Sequence, residues 1–303
     1  MNLPTSTCIS IINLESKNIV RSHYLALCAC NSILAIPTAV ANTLVIVAIL
    51  TTPYLQTPSY LLLTSLAFSD VAVGFIGQPV FVAAIGLFMD GEAEKYCNVR
   101  TVSGAILIVL TMTSVLTVTA ISVDRYLAIR LKIRYKVVVT SSRTRILVVF
   151  LWIFSFASLL AFPFNIDISV LVLLGGIGLL LCLIVILCSY SMSFRSLTIH
   201  CAQIQPTPTG ELRANSTTPV IDVLKYKKLF KTMLFILAVI FICYLPMIGV
   251  FAILSRPNPN RAAVWGFQTI VCLNSTLNPF IYMTRVRDIR QACMRIVRRI
   301  ICC

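Results

Sequence analysis

Seven apolar runs, each long enough to cross a lipid bilayer, take up most of the chain and leave little room for another architecture. They fall at about 24–50, 59–88, 99–123, 146–163, 168–190, 229–254 and 264–283. Roughly 20 apolar residues carry a helix across the hydrocarbon. Lipid offers the backbone no hydrogen-bond partner, so each run must satisfy its own amides as a helix. The alternating apolar pattern of a membrane β-barrel is absent. Only 12% of the residues are charged and 58% are hydrophobic; a soluble domain carries about a quarter charged residues. The expected fold class is an all-α membrane protein, a seven-transmembrane helix bundle. No second soluble domain and no repeat relating the two halves is legible.

Charge orients the bundle. Arg125, Arg130, Lys132, Arg134, Lys136, Arg143 and Arg145 lie between the third and fourth runs. Arg195, Arg213, Lys225, Lys227, Lys228 and Lys231 lie between the fifth and sixth. Arg285, Arg287, Arg290, Arg295, Arg298 and Arg299 follow the seventh. These make up most of the 25 Lys and Arg residues, and the positive-inside rule makes their side cytoplasmic. The loop at about 51–58 breaks the trend, with no Lys or Arg. The expectation is an extracellular N-terminus (1–23), a membrane domain (24–283) and a cytoplasmic tail (284–303). The first 23 residues do not read as a cleaved signal peptide. The net charge of +15 does not imply nucleic acid, because basic residues flanking membrane spans are explained by anionic lipid headgroups. The segment 202–222, with Pro206, Pro208, Gly210 and Pro219, reads as a cytoplasmic loop. Its sequon at Asn215 is on the wrong side for glycosylation, and another at Asn274 lies within the seventh run.

Few side chains inside the membrane carry chemistry. Asp70 is the only acid well inside a run, and burying it costs roughly several kcal/mol unless it is paired or neutral. A hydrogen-bonded Asp holding helices together is the simplest reading. Ser114 lies three turns before Arg125, and Asn274 and Asn278 sit one turn apart on one face of the seventh run. An Arg at a membrane boundary, such as Arg125, ordinarily snorkels to headgroups. Pro246 and Pro279 lie inside helical runs, where each removes a backbone bond and kinks its helix. A nucleophile with its base is lacking: His23 and His200 sit at boundaries and no second acid is buried, which argues against an enzyme. A transporter would need polar midplane residues in matched halves, and only Asp70 qualifies.

Three patterns together carry a resemblance. The third run ends in Ile121-Ser122-Val123-Asp124-Arg125-Tyr126-Leu127-Ala128-Ile129, the seventh in Asn278-Pro279-Phe280-Ile281-Tyr282, and the second holds Asp70. They resemble the rhodopsin-like (class A) G-protein-coupled receptors over about 30–300. The resemblance implies that Asp124 holds Arg125 at rest, and that the freed Arg125 meets a heterotrimeric G protein. It places Tyr190 and Tyr282 where the family draws two tyrosines together on activation, and makes Pro246 and Pro279 hinges. It implies an allosteric sodium ion at Asp70, Ser114, Asn274 and Asn278, all oxygen-bearing as a hard cation requires; no other cofactor is implied. Arrestin and receptor kinases are further partners by the same resemblance, and the plasma membrane is the expected location.

The departures matter as much. The acid that many relatives carry at the start of span six is replaced by Tyr226, which predicts ligand-independent signalling. Tyr244 stands in the place of the usual tryptophan, Cys182 in that of the span-five proline and Ile240 in that of a phenylalanine. A receptor-like protein with weak or no coupling is therefore the alternative reading. The loop after span four is short and has no cysteine, so the family's usual disulfide is not expected. Cys97 is left to pair with Cys8, Cys28 or Cys30, or to remain free. Cys293, Cys302 and Cys303, on a basic amphipathic stretch resembling the family's short eighth helix, are candidate palmitoylation sites. The short loop and proline-free span five look like the melanocortin, lysophospholipid and cannabinoid receptor group. Leu107, Cys272 and Phe251 stand where amine, retinal and adenosine receptors place their ligand-binding residues, which disfavours those ligands. Phe81, Leu107, Ile108, Thr111, Leu174, Met247, Ile248, Phe251 and Gln268 would line the upper cavity, a mostly apolar surface suited to a lipid or small apolar ligand. A peptide bound outside, near Asp90, Glu92 and Glu94, is the other option.

Overall fold

The computed structural model describes residues 21–161, 168–203 and 261–301, with 238–239, 241–242, 244–245 and 248–249 of the sixth span. The side chains of 161–172, 197–203 and 301 are outside that description. Cys8, Tyr226, Ile240, Pro246, Met247, Phe251, Cys302 and Cys303 therefore lie outside the described residues.

Helices cover all or part of every expected span, and there is no strand among the described residues. Span one is Arg21–Thr51, span two Pro58–Met89, span three Ala93–Leu131, span four Ser141–Ala157, span five Ile168–Gln203 and span seven Arg261–Arg285. A tail helix follows at Arg287–Ile301. Among the described residues, five helices are long and apolar enough to cross a membrane; span seven, with its buried Asn274, Ser275, Thr276 and Asn278, is more polar than these.

Local chemistry sets the breaks and bends. Pro58 opens span two, where its missing N–H costs no helix bond. Pro79 lies further along, and the turn before it, Val73–Gly77, widens into a π-helix. The wider turn accommodates the ring that would otherwise press on the preceding turn. Within it, Gly74 lies against span one: a Cβ there would stand 2.7 Å from Ala39 N and 2.8 Å from Ala35 O. Span three, 39 residues and so about 58 Å at 1.5 Å per residue, stops where Lys132 adopts φ 46°. The chain then turns through Tyr135–Val138, and Thr140 caps span four by accepting the Arg143 amide at 3.4 Å. With no proline at Cys182, span five continues as one helix.

The polarity is inverted relative to a soluble protein. Ile33, Ile36, Phe75, Ile146, Phe150, Ile153 and Leu181 face outward and are exposed, whereas Asn31, Thr38, Asn42, Ser69, Asp70, Gln78, Thr113 and Thr117 are fully buried. Only lipid makes that outer surface favourable. The interior divides into two apolar clusters. One lies towards the basic end and holds Val45, Leu63, Leu66, Val115, Val118, Ile186, Tyr190, Tyr244, Tyr282 and Ile289. The other lies at the opposite end, with Tyr24, Phe81, Ile85, Phe88, Tyr96, Leu107 and Trp265.

Candidate functional site

Asp124 is buried at the end of span three, and its carboxylate gathers three side-chain donors. Arg125 donates from Nη2 at 2.6 Å and from Nε at 3.2 Å to Oδ2. Ser59, in the first turn of span two, donates to the same oxygen at 2.8 Å. Tyr135, beyond the span-three break, donates to Oδ1 at 2.6 Å, and its hydroxyl lies 3.0 Å from that of Ser59. Burial, and then the hydrogen bond to Asp124, push the Tyr135 phenol up from its ordinary value, so it stays a donor throughout the physiological range. The carboxylate is thus buried with its hydrogen-bonding capacity used, while the Arg125 side chain is 39% exposed towards the basic end. Tyr126 turns elsewhere, accepting a hydrogen bond from Arg130, whose guanidinium lies over its ring.

Deeper in the bundle, Asn278 donates its amide to Asp70 Oδ2 at 2.8 Å. Asp70 Oδ1 is buried without a hydrogen-bond partner. Ser69 and Ser114 hydroxyls meet at 3.0 Å beside it in sequence and across spans two and three. Asn274 directs its amide to the Tyr244 hydroxyl at 2.9 Å. Span one completes this polar seam: Asn42 donates to Ser275 O at 3.0 Å, and Thr38 and Thr276 hydroxyls lie 2.5 Å apart. Pro279 lies within span seven one residue past Asn278, on the stretch that carries these contacts. Tyr190, Tyr244 and Tyr282 are all buried in the cluster at the basic end.

The model of the family described as "7 transmembrane receptor (rhodopsin family)" matches residues 41–169, which include Asp70, Ser114 and Asp124–Tyr126. Over that stretch the chain is similar to the rhodopsin family of seven-transmembrane receptors. Its similarity to individual relatives is partial. It is 37% identical over 98 residues to the adenosine receptor A2b of Bos taurus, covering 32% of this chain and 28% of that relative. It is 38% identical over 90 residues to the adenosine receptor A2b of Canis lupus familiaris, covering 29% of this chain and 25% of the relative. It is also 38% identical over 68 residues to cannabinoid receptor 1 of Xenopus laevis, covering 22% of this chain and 14% of that relative. The chain thus matches at most 28% of the length of these curated relatives. The family is one of receptors rather than enzymes.

Among the described residues, the expected ligand-lining residues occupy separate places. A cavity of about 10 Å³ is bordered by Val73, Leu107, Thr111, Ser114, Tyr244, Val271, Cys272 and Ser275, room for about one water. Leu107 and Thr111 line it. Phe81 is instead packed edge-on against Trp265, with centroids 6.5 Å apart. Ile108 and Leu174 are exposed, Gln268 is half-buried, and Ile248 packs against the cluster at the basic end. Trp265, which sequence reasoning passed over, centres the aromatic cluster that takes up Phe81. Tyr24, Phe88 and Tyr96 surround it at 5.4, 5.1 and 6.4 Å, and Arg261 lies over Phe88 while donating to the Tyr96 hydroxyl at 3.2 Å. Trp265 is one of only two tryptophans in the chain, a signal that was available. Ser59 and Tyr135 were also passed over; they reach Asp124 from separate elements, and no spacing on span three announces them.

Two cysteine expectations change. Cys97 is disulfide-bonded, and Cys28 and Cys30 are free thiols, so neither is its partner, which lies outside the described residues. Cys293 is 3% exposed, packed under the tail helix, and burial pushes its thiol up. That placement is one of a packing residue and does not favour palmitoylation.

Proposed function

We propose that this receptor carries a ligand signal across the plasma membrane to a heterotrimeric G protein, with its basic end cytoplasmic and its N-terminus outside. One observation carries the reading. Arg125, the cation facing the basic end, is held by a buried carboxylate that Ser59 and Tyr135 also hold. A clamp of this kind keeps Arg125 from a partner at rest and releases it when span three moves relative to span two and the Tyr135 turn. The similarity to the rhodopsin family supports the G protein as that partner, and arrestin and receptor kinases belong to the same proposal. The test is G-protein activation in cells, basal and stimulated with ligand libraries, across α-subunit classes and at matched surface expression. Wild type is expected to signal above Arg125→Ala. Equal signals under every condition would remove Arg125 from the coupling role and leave the weakly coupling reading, which the Tyr244–Asn274 bond favours because it ties the substituted aromatic to span seven.

The ligand proposed is a lipid or small apolar molecule. The similarity to a cannabinoid receptor and the apolar residues Val73, Leu107 and Val271 around the small cavity support it. Phe251 keeps the adenosine reading second despite the similarity to adenosine receptors. A ligand larger than a water enters by opening the Trp265 cluster. A sodium ion is proposed at Asp70. The buried, unpartnered Oδ1 fits a hard cation, and the paired Ser69 and Ser114 hydroxyls add oxygens from spans two and three; Asn278 completes the donor set, and Asn274 joins it by turning from Tyr244.

A further inference from the structure

A groove of about 270 Å³ lies where span one, span seven and the tail helix meet, lined by Leu44, Met283, Cys293, Met294 and Val297, with Arg290 and Arg298 at its edges. Neither the ligand site nor the coupling clamp uses it. The tail helix creates it: Ile289, Ala292 and Cys293 are buried in the bundle, which pins one face and leaves the next face standing off span one. Tyr54 and Asp288 fix the tilt. Arg295 donates to the Tyr54 hydroxyl at 2.6 Å and lies over its ring, while Asp288 accepts from Tyr60 at 3.2 Å. Asp288 is the only acid on the tail helix, and Tyr60 occupies it. Among the described residues Arg290 and Arg298 make no ion pair and no side-chain hydrogen bond.

We propose that this groove binds one anionic phospholipid of the membrane leaflet at the basic end. The chemistry matches in two parts. Leu44, Met283, Met294 and Val297 offer the floor an acyl chain requires, and spans one and seven, which supply Leu44 and Met283, also carry the exposed apolar Val47, Leu50 and Phe280. Arg290 and Arg298 stand eight residues apart, about 12 Å along the axis, so their guanidinium groups can close from both sides on a phosphodiester. Anionic headgroups are the ligands a leaflet supplies to unpaired basic residues at a helix on its surface. The receptor's own fatty chain on Cys293 would need no arginine, and the buried thiol would have to leave its packing to carry one.

The test uses the full-length receptor, purified in mild detergent, exposed to vesicles of phosphatidylcholine containing phosphatidylserine or phosphatidylinositol phosphate, and weighed intact by native mass spectrometry. One anionic phospholipid is expected to remain bound in preference to phosphatidylcholine. Arg290→Gln with Arg298→Gln should weaken that retention about tenfold or more. Val297→Trp, which fills the groove and keeps both charges, should abolish it; thermal melting confirms that each variant is folded. Equal retention of phosphatidylcholine, or undiminished retention in both variants, would overturn the proposal. So would a hydroxylamine-labile fatty acyl mass on the Cys293 peptide, which would make the occupant the receptor's own chain.

Discussion

At the scale of single residues, the clamp on Asp124 is the feature most open to test. Tyr135→Phe removes one donor from a buried carboxylate and leaves the ring. A hydrogen bond to a charged group contributes about 1.5 kcal/mol or more, so basal G-protein turnover should rise several-fold, towards the level of a fully released Arg125. Unchanged turnover would show that Ser59 and Arg125 suffice. The raised Tyr135 phenol fixes the sign of the pH dependence: its contribution is complete below the ordinary phenol range and is lost only as pH rises through the higher folded-state value. Asp70 makes a second prediction. If sodium occupies the site, replacing choline with sodium at constant ionic strength should raise the melting temperature, corresponding to about 2.7 kcal/mol at a hundred times the dissociation constant. Asp70→Asn should flatten that response; a wild type equally indifferent to sodium would dismiss the site.

At the scale of elements, the span one–span two contact shows how little slack the bundle has. The π-turn before Pro79 brings Gly74 against span-one backbone, and backbone atoms cannot swing aside as a side-chain tip can. Gly74→Ala should therefore destabilise by about 1–3 kcal/mol, read as a fall in melting temperature. Gly86→Ala, with nothing within 4 Å of the added methyl group, should not lower the melting temperature, since alanine favours a helix over glycine, and serves as the control. The helices themselves were legible beforehand. The run at 24–50 became Arg21–Thr51 and that at 59–88 became Pro58–Met89, because a span must satisfy its backbone alone. Span five extended beyond its apolar run to Gln203, because helical bonding does not stop where apolarity does.

At the scale of the whole molecule, two clusters divide the work. The one at the opposite end is centred on Trp265 and shares no buried residue with the tyrosines at the basic end. Trp265→Ala should cost about 3 kcal/mol in a packed aromatic cluster, lowering the melting temperature while leaving the Arg125-dependent basal signal per surviving receptor intact. A change in that signal would show that the aromatic cluster is coupled to the clamp. Large apolar side chains cover much of the outer surface of the described spans, so the bilayer is part of the fold's energetics, and the tail helix groove is one place where basic charge and that bilayer meet.

Local chemistry alone determined the number of spans, the side on which charge accumulates and the identity of Asp70, Asp124–Tyr126 and Asn278–Tyr282 as an interior set. These are properties of hydropathy and short spacing, and tertiary contact does not alter them. Asp70 meeting Asn278 across 208 positions was legible because both lie on runs of known direction. Tyr135 reaching Asp124 was not, since it depends on the turn at Lys132. Nor was the scattering of Phe81, Ile108, Leu174 and Ile248 among different surfaces. Which side of each helix faces its neighbours, and which faces lipid, depends on rotation and tilt; apolar side chains suit both surroundings, and only packing decides between them.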